Sequence, residues 1–205
     1  MSSSKFKDFV NHPDTKESSS RQKAPIAVLA YHAGTEAGTG EIARNIKAAS
    51  TYIAHNPDKR VASTRVTPTH SKHLTGIREY AKTAISIHGH DRKGTYSKNS
   101  SNYERTKTIY VTGGNQDLAN KVANQLKDDI GRFYHVETDL KHTPKHLQGK
   151  SQYNITNRFE NQGVQVELPH ELRKNREHRE LVSDTISNVV KKESPKYQRQ
   201  YKKAA

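Results

Sequence analysis

IAVLAYHAGTEAGTGE, residues 26–41, is the stretch that decides the fold of this chain. Ile26 to Tyr31 is a short continuous apolar run that ends in a turn rich in glycine and threonine, as a buried parallel strand feeding a helix does. Thr39 is placed to cap that helix, Glu41 falls in its first turn, and Ile42, Ile46 and Ala49 recur at helical spacing. Working outward, the same logic predicts strands at Ala84–His88, Thr108–Thr112, Phe133–Glu137 and Gly163–Leu168, with helices over about 70–82, 116–130 and 176–190. Strand and helix in alternation predict an α/β sandwich built on a mainly parallel sheet.

Polar segments flank this patterned region. Residues 1–23 carry serine triplets at 2–4 and 18–20, and residues 191–205 are basic and almost free of aliphatic side chains. The expected organisation is a flexible tail over 1–23, one domain over 24–190 and a flexible basic tail over 191–205. TYSKNSSNYERTK at 95–107 reads as a loop.

The chain has 205 residues, of which 31% are hydrophobic, so the core must be compact and local. Thirty-five Lys and Arg against 21 Asp and Glu give a net charge of +14, which attracts polyanions without naming one. No apolar run reaches the ~20 residues of a bilayer span, and the start MSSSKFKDFVNHPD lacks the apolar segment of a secretion signal. The expectation is a monomer made in the cytoplasm, with no membrane partner, released by host lysis if phage-encoded. With no cysteine, disulfides, thiol catalysis and cysteine-type zinc sites are excluded, so a bound metal must take its ligands from His and carboxylates.

In sheets of this kind ligands sit beyond the carboxyl ends of the strands. Those positions hold His32 to Glu36, His88-Gly89-His90 and Gly113-Gly114-Asn115, followed later by Asn154-Ile155-Thr156-Asn157-Arg158 and, on the last strand, Glu167. Two imidazoles and a carboxylate from separate strand ends can converge on one Zn²⁺ with a position left open, the pattern of a hydrolytic rather than a structural site. Each piece also has a plain structural reading. Twelve histidines place some near strand ends by chance, Gly113-Gly114 serves equally as a strand-to-helix turn, and Glu167 shares its strand face with Gln165 as a surface carboxylate would.

The motifs taken together, HAGTEAGTGEIA at 32–43, SIHGH at 86–90, VTGGN at 111–115, NITNR at 154–158 and GVQVEL at 163–168, resemble the phage-type poly-γ-glutamate hydrolases over about residues 24–190. The resemblance implies an open mixed sheet with helices on both faces, an α/β/α sandwich related to zinc carboxypeptidases, and hydrolysis of the γ-glutamyl amide bonds of poly-γ-glutamate. It implies one zinc ion held by His32, Glu36 and His88, with other divalent transition metals acceptable. Glu167 matches the carboxylate that acts as general base toward metal-activated water and then protonates the leaving amine. Arg158, with Asn154 and Asn157, matches a motif that holds substrate carboxylate or stabilises the oxyanion, tasks suited to a guanidinium. Only three residues separate His32 from Glu36, one fewer than is common in the family, so Glu41 is a reserve ligand for Glu36 and His90 one for His88.

An anionic polymer substrate fits the +14 charge. Two other readings stand beside it: a basic nucleic-acid-binding protein without catalysis, although no nucleic-acid motif is present, and an amidase or peptidase acting on cell-wall peptides.

Overall fold

The structure is a computed structural model that describes residues 4–20, 22–98 and 101–204. A seven-stranded sheet forms its centre: β1 (Lys16–Ser19), β2 (Ile26–Ala30), β3 (Ser50–His55), β4 (Thr83–His90), β7 (Thr108–Gly113), β8 (His135–Glu137) and β9 (Gly163–Pro169). A separate hairpin, β5 (Thr95–Lys98) and β6 (Ser101–Glu104), lies where the sequence predicts a loop. The helices are α1 (Ser4–Val10), α2 (Thr39–Asn45), α3 (Lys72–Arg78), α4 (Gln116–Ile130), α5 (His170–Lys174) and α6 (Arg176–Ala204).

The sheet order is β1-β3-β2-β4-β9-β7-β8. β3, β2, β4 and β9 run parallel, β1 is antiparallel to β3, and β7, with β8 parallel beside it, is antiparallel to β9. The sheet is therefore mixed and mainly parallel. Alternation along β2 shows why it needs cover on both faces. Ile26, Val28 and Ala30 join the core beneath α2, α4 and α6, while Ala27, Leu29 and Tyr31 join a second core with Phe6 and Phe9 of α1 and Leu74 and Ile77 of α3.

Two further expectations change. The segment read as an N-terminal tail is structured from Ser4: Phe6 and Phe9, three apart, bury one face of α1, and β1 pairs with β3. Each fully buried phenylalanine contributes roughly 1.5–3 kcal/mol, enough to dock a short amphipathic helix that composition alone reads as polar. The basic C-terminal stretch continues α6, with Tyr197 buried and Lys196 paired to Asp117 at 2.6 Å. Ser2, Ser3 and Ala205 lie outside the described residues. Among the described residues no helix is long and apolar enough to cross a membrane.

Candidate active site

His32 opens the turn after β2. The Glu36 N–H donates to the His32 carbonyl at 2.8 Å, closing one helical turn, so the two side chains share a face and His32 Nδ1 lies 3.0 Å from Glu36 Oε1. Three intervening residues are thus the right number. Gly34 is needed within them because a Cβ there would overlap the carbonyl of Asn56 just beyond β3. Glu41 lies on α2 and pairs with Arg179 at 3.1 Å, so the structure brings Glu36, and not Glu41, to the histidines.

His88 comes from β4, directly beside Glu167 in the β4–β9 register, and its Nδ1 is 3.3 Å from Glu36 Oε2. That oxygen also accepts the Gly89 N–H at 2.9 Å. Both imidazoles are held by their other nitrogen: His32 Nε2–H donates to the Val61 carbonyl at 2.5 Å, and His88 Nε2 lies 2.8 Å from Tyr31 Oη. A carbonyl can only accept, so Nε2 of His32 carries the proton and its Nδ1 lone pair faces the carboxylate. Two imidazole nitrogens and a carboxylate converging in a buried space repel unless a cation or proton lies between them, so the donor set fits a divalent metal ion. Ligand atoms of His32, Glu36 and His88 all lie within 4.8 Å of one another, and this is the group among the described residues that could hold a metal.

His90 shares the face of His88, but Nε2 is engaged by the Thr108 carbonyl at 2.9 Å and Nδ1 accepts from the Arg92 N–H at 3.3 Å. Burial lowers its pKa to about 4. It supports the wall of the site and stands outside the ligand group.

The charges are strongly perturbed. Burial pushes the Glu36 carboxyl up, but in the metal-free site attraction to His88 and hydrogen bonds from His32 and His88, made when those rings are protonated on both nitrogens, outweigh it and hold the group well below the usual carboxylate range. Burial lowers the pKa of His88, against the attraction of Glu36, which favours the neutral ring that a metal ligand requires. Glu167, 4% exposed, goes the other way: burial and then repulsion from Glu36 raise it well above the ordinary value. Gln165 Nε2–H donates to Glu167 Oε1 at 2.7 Å, and Asn154 Nδ2–H donates to Gln165 Oε1 at 2.9 Å, so a chain of amides orients the carboxyl.

These groups open into a cavity of about 610 Å³. Its walls carry Arg60, whose guanidinium is 4.0 Å from Glu36, together with Arg92, His146 and the buried Arg173. Asn154, Asn157 and Arg158 are not among the lining residues. Arg158 donates to the carbonyls of Val66 and Thr64 at 3.1 and 3.2 Å, and Asn157 donates to those of Gly149 and Ser151 at 2.7 and 3.0 Å. Gly113-Gly114-Asn115 is also elsewhere: β7 runs against β9, so Gly113 pairs with Val164 at the opposite end of the sheet from His88.

Sequence reasoning passed over Tyr31 and Arg60. Tyr31 stood inside an apolar run, and nothing local marks it as a partner for His88. Arg60 follows β3, a strand absent from the sequence prediction; with STYIAH at 50–55 recognised, the strand-end rule would have pointed to the residues after it.

No curated protein sequence matches the chain. The solved structure of a bacteriophage poly-gamma-glutamate hydrolase matches with a TM-score of 0.67 at 20% identity, covering 94% of this chain and 91% of the other. YNDL in an apo, zinc-free form matches with a TM-score of 0.64 at 22% identity, covering 87% and 90%. At these identities the likeness is one of fold. The family model for poly-gamma-glutamate hydrolase matches residues 5–192, nearly the whole chain, and this protein therefore belongs to that family of hydrolases.

Proposed function

We propose that the chain cleaves the γ-glutamyl amide bonds of poly-γ-glutamate using one divalent ion, zinc in the first instance, held by His32 Nδ1, Glu36 and His88 Nδ1, with Glu167 as general base. The observation that carries this reading is the pair of imidazoles turned toward one carboxylate by bonds to Val61 and Tyr31, with a second carboxylate, Glu167, buried beside them and outside the group. An ion bound there supplies Lewis-acid activation of water and of the scissile carbonyl.

The remaining work falls to the chain. Glu36 is held anionic by His32 and His88 in the metal-free protein, and a bound ion would take the place of their protons, leaving both rings neutral as ligands. Glu167 has the raised basicity suited to removing a proton from attacking water and returning it to the leaving amine. Gln165, held by Asn154, fixes its direction. Arg60 and Arg92 offer planar forks to the free carboxylates of the polymer, and the positive charge of the protein draws such a polymer toward the cleft. In this scheme Arg158 is a positioning residue, carrying the 64–66 segment just past Arg60.

The test is incubation of purified, zinc-loaded protein with poly-γ-glutamate, followed by size-exclusion analysis of chain length. The polymer should shorten, chelation should stop the reaction, and rising salt should slow it. Unchanged length with metal-loaded protein would sink the proposal.

A further inference from the structure

Beside the active-site cavity lies a second groove of about 540 Å³. The two share one ridge, Arg60-Val61-Ala62. This ridge is tied to the catalytic centre, because the Val61 carbonyl receives the His32 Nε2–H and the Arg60 guanidinium stands 4.0 Å from Glu36. An extended ligand lying across it passes directly from the His32–Glu36–His88 group into the groove.

The lining of the groove has a clear chemical character. Lys5 comes from α1, and Lys59, Arg60 and Arg65 come from the segment after β3. They face two carboxylates, Asp8 and Asp58, so cations are in excess. Lys5, Lys59 and Arg65 are exposed and form no ion pair among the described residues, whereas Lys121 and Lys196 on the helices of the other face are paired at 2.6 Å. Unpaired cations collected from two separate segments along one groove suit a ligand with repeated negative charge. A γ-linked glutamate polymer carries a free carboxylate on every repeat.

We infer that this groove is a distal subsite that binds carboxylates of the anionic polymer several repeats away from the bond being cut. The inference rests on the proposed activity for the identity of the polymer. The groove sets affinity for long chains and takes no part in bond breaking. It also gives α1 a role in substrate binding, since Lys5 reaches the groove only because Phe6 and Phe9 anchor that helix.

The experiment compares wild type with a triple charge reversal, Lys5→Glu, Lys59→Glu and Arg65→Glu. A control triple, Arg44→Glu, Lys127→Glu and Lys191→Glu, changes net charge equally on exposed positions of α2, α4 and α6. Kinetics are measured on long poly-γ-glutamate and on short γ-glutamyl oligomers, and binding to the long polymer is measured with Glu167→Gln protein. The groove triple should raise KM for the long polymer about tenfold with kcat unchanged, leave the short oligomers unaffected, and weaken binding in the Glu167→Gln background by the same factor. The control triple should change KM much less. Equal effects from both triples, or no effect of the groove triple on KM or binding, would overturn the inference. Polymer binding that depends on the groove in a wild type that cuts nothing would uphold the groove and overturn the catalytic reading, so the two fail separately.

Discussion

Two turns in this molecule look alike in sequence and do opposite work. Each ends an apolar strand, contains glycine and leads into a helix: residues 31–38 between β2 and α2, and residues 113–115, from the last residue of β7 to the start of α4. The first carries His32 and Glu36 into the cavity that His88 and Glu167 also line, the candidate active site. The second lies at the other end of the sheet, where Gly113 adopts φ 139° and Asn115 caps α4 by accepting the Leu118 N–H at 3.1 Å. The difference is strand direction, because β7 runs antiparallel to β9 while β2 and β4 run parallel with it. Proximity to a strand's carboxyl end identifies a site only when that strand points the same way as its neighbours.

The sharpest contrast between the two ends comes from substitution. Glu167→Gln at the catalytic end should lower kcat by roughly 10²–10⁴-fold, while metal content and melting temperature show an intact site. Gly113→Ala at the far end should do the reverse. A Cβ there meets the Gly163 carbonyl and the backbone conformation disfavours any side chain, so stability should fall by about 1–3 kcal/mol with kcat of the folded protein unchanged. Asn115→Ala removes the cap and the Nδ2–H bonds to the Asn161 carbonyl and Tyr197 Oη at 3.0 and 3.1 Å, and should cost about 1–2 kcal/mol, again without a kinetic effect. Thermal melts beside initial rates check all three. A large kcat loss in Gly113→Ala would break the comparison.

This contrast also explains what the sequence could reveal. Ile26–Ala30 is legible because burial on both faces requires a continuous apolar run, and Gly163–Pro169 is legible by alternation, with Val164, Val166 and Leu168 on one face and Gln165 and Glu167 on the other. The candidate ligands His32, Glu36 and His88 are visible as residue types at strand ends, and the structure brings those three together in a group that could hold a metal. The elements missed are the ones whose stability comes from neighbours. β1 (KESS) is polar and forms by pairing with β3, and α1 depends on a core supplied by β2, β3 and α3. The direction of β7 is fixed by long-range pairing with β9, and so the place of Gly113-Gly114-Asn115 could not be read locally. Arg158 shows the limit of motif matching: its type suits substrate carboxylate, yet its hydrogen bonds in this structure go to backbone carbonyls of the neighbouring loop.

The smallest predicted effect tests the electrostatics of the catalytic end in metal-free protein. Glu167 is faced by Glu36, which raises its pKa beyond the rise due to burial, and by Gln165, Arg173 and Arg60, which lower it less. Its folded-state pKa lies above the ordinary value of 4.5, so its contribution to stability is fully present below that value and is lost as pH rises through the raised one. Glu36 has the opposite sign, stabilising above 4.5 and losing that contribution as pH falls, but it is present in both proteins and cancels in the difference. Wild type and Glu167→Gln should therefore be similarly stable under acidic conditions and diverge as pH rises. The variant should end more stable by about 1–3 kcal/mol because it no longer buries a charge with few donors. Urea melts of both proteins in chelator across pH 4 to 9 measure the gap, and zinc should narrow it by offsetting the carboxylate charge in wild type. Parallel stability curves would mean that Glu167 carries no such penalty, removing the electrostatic basis for its raised basicity.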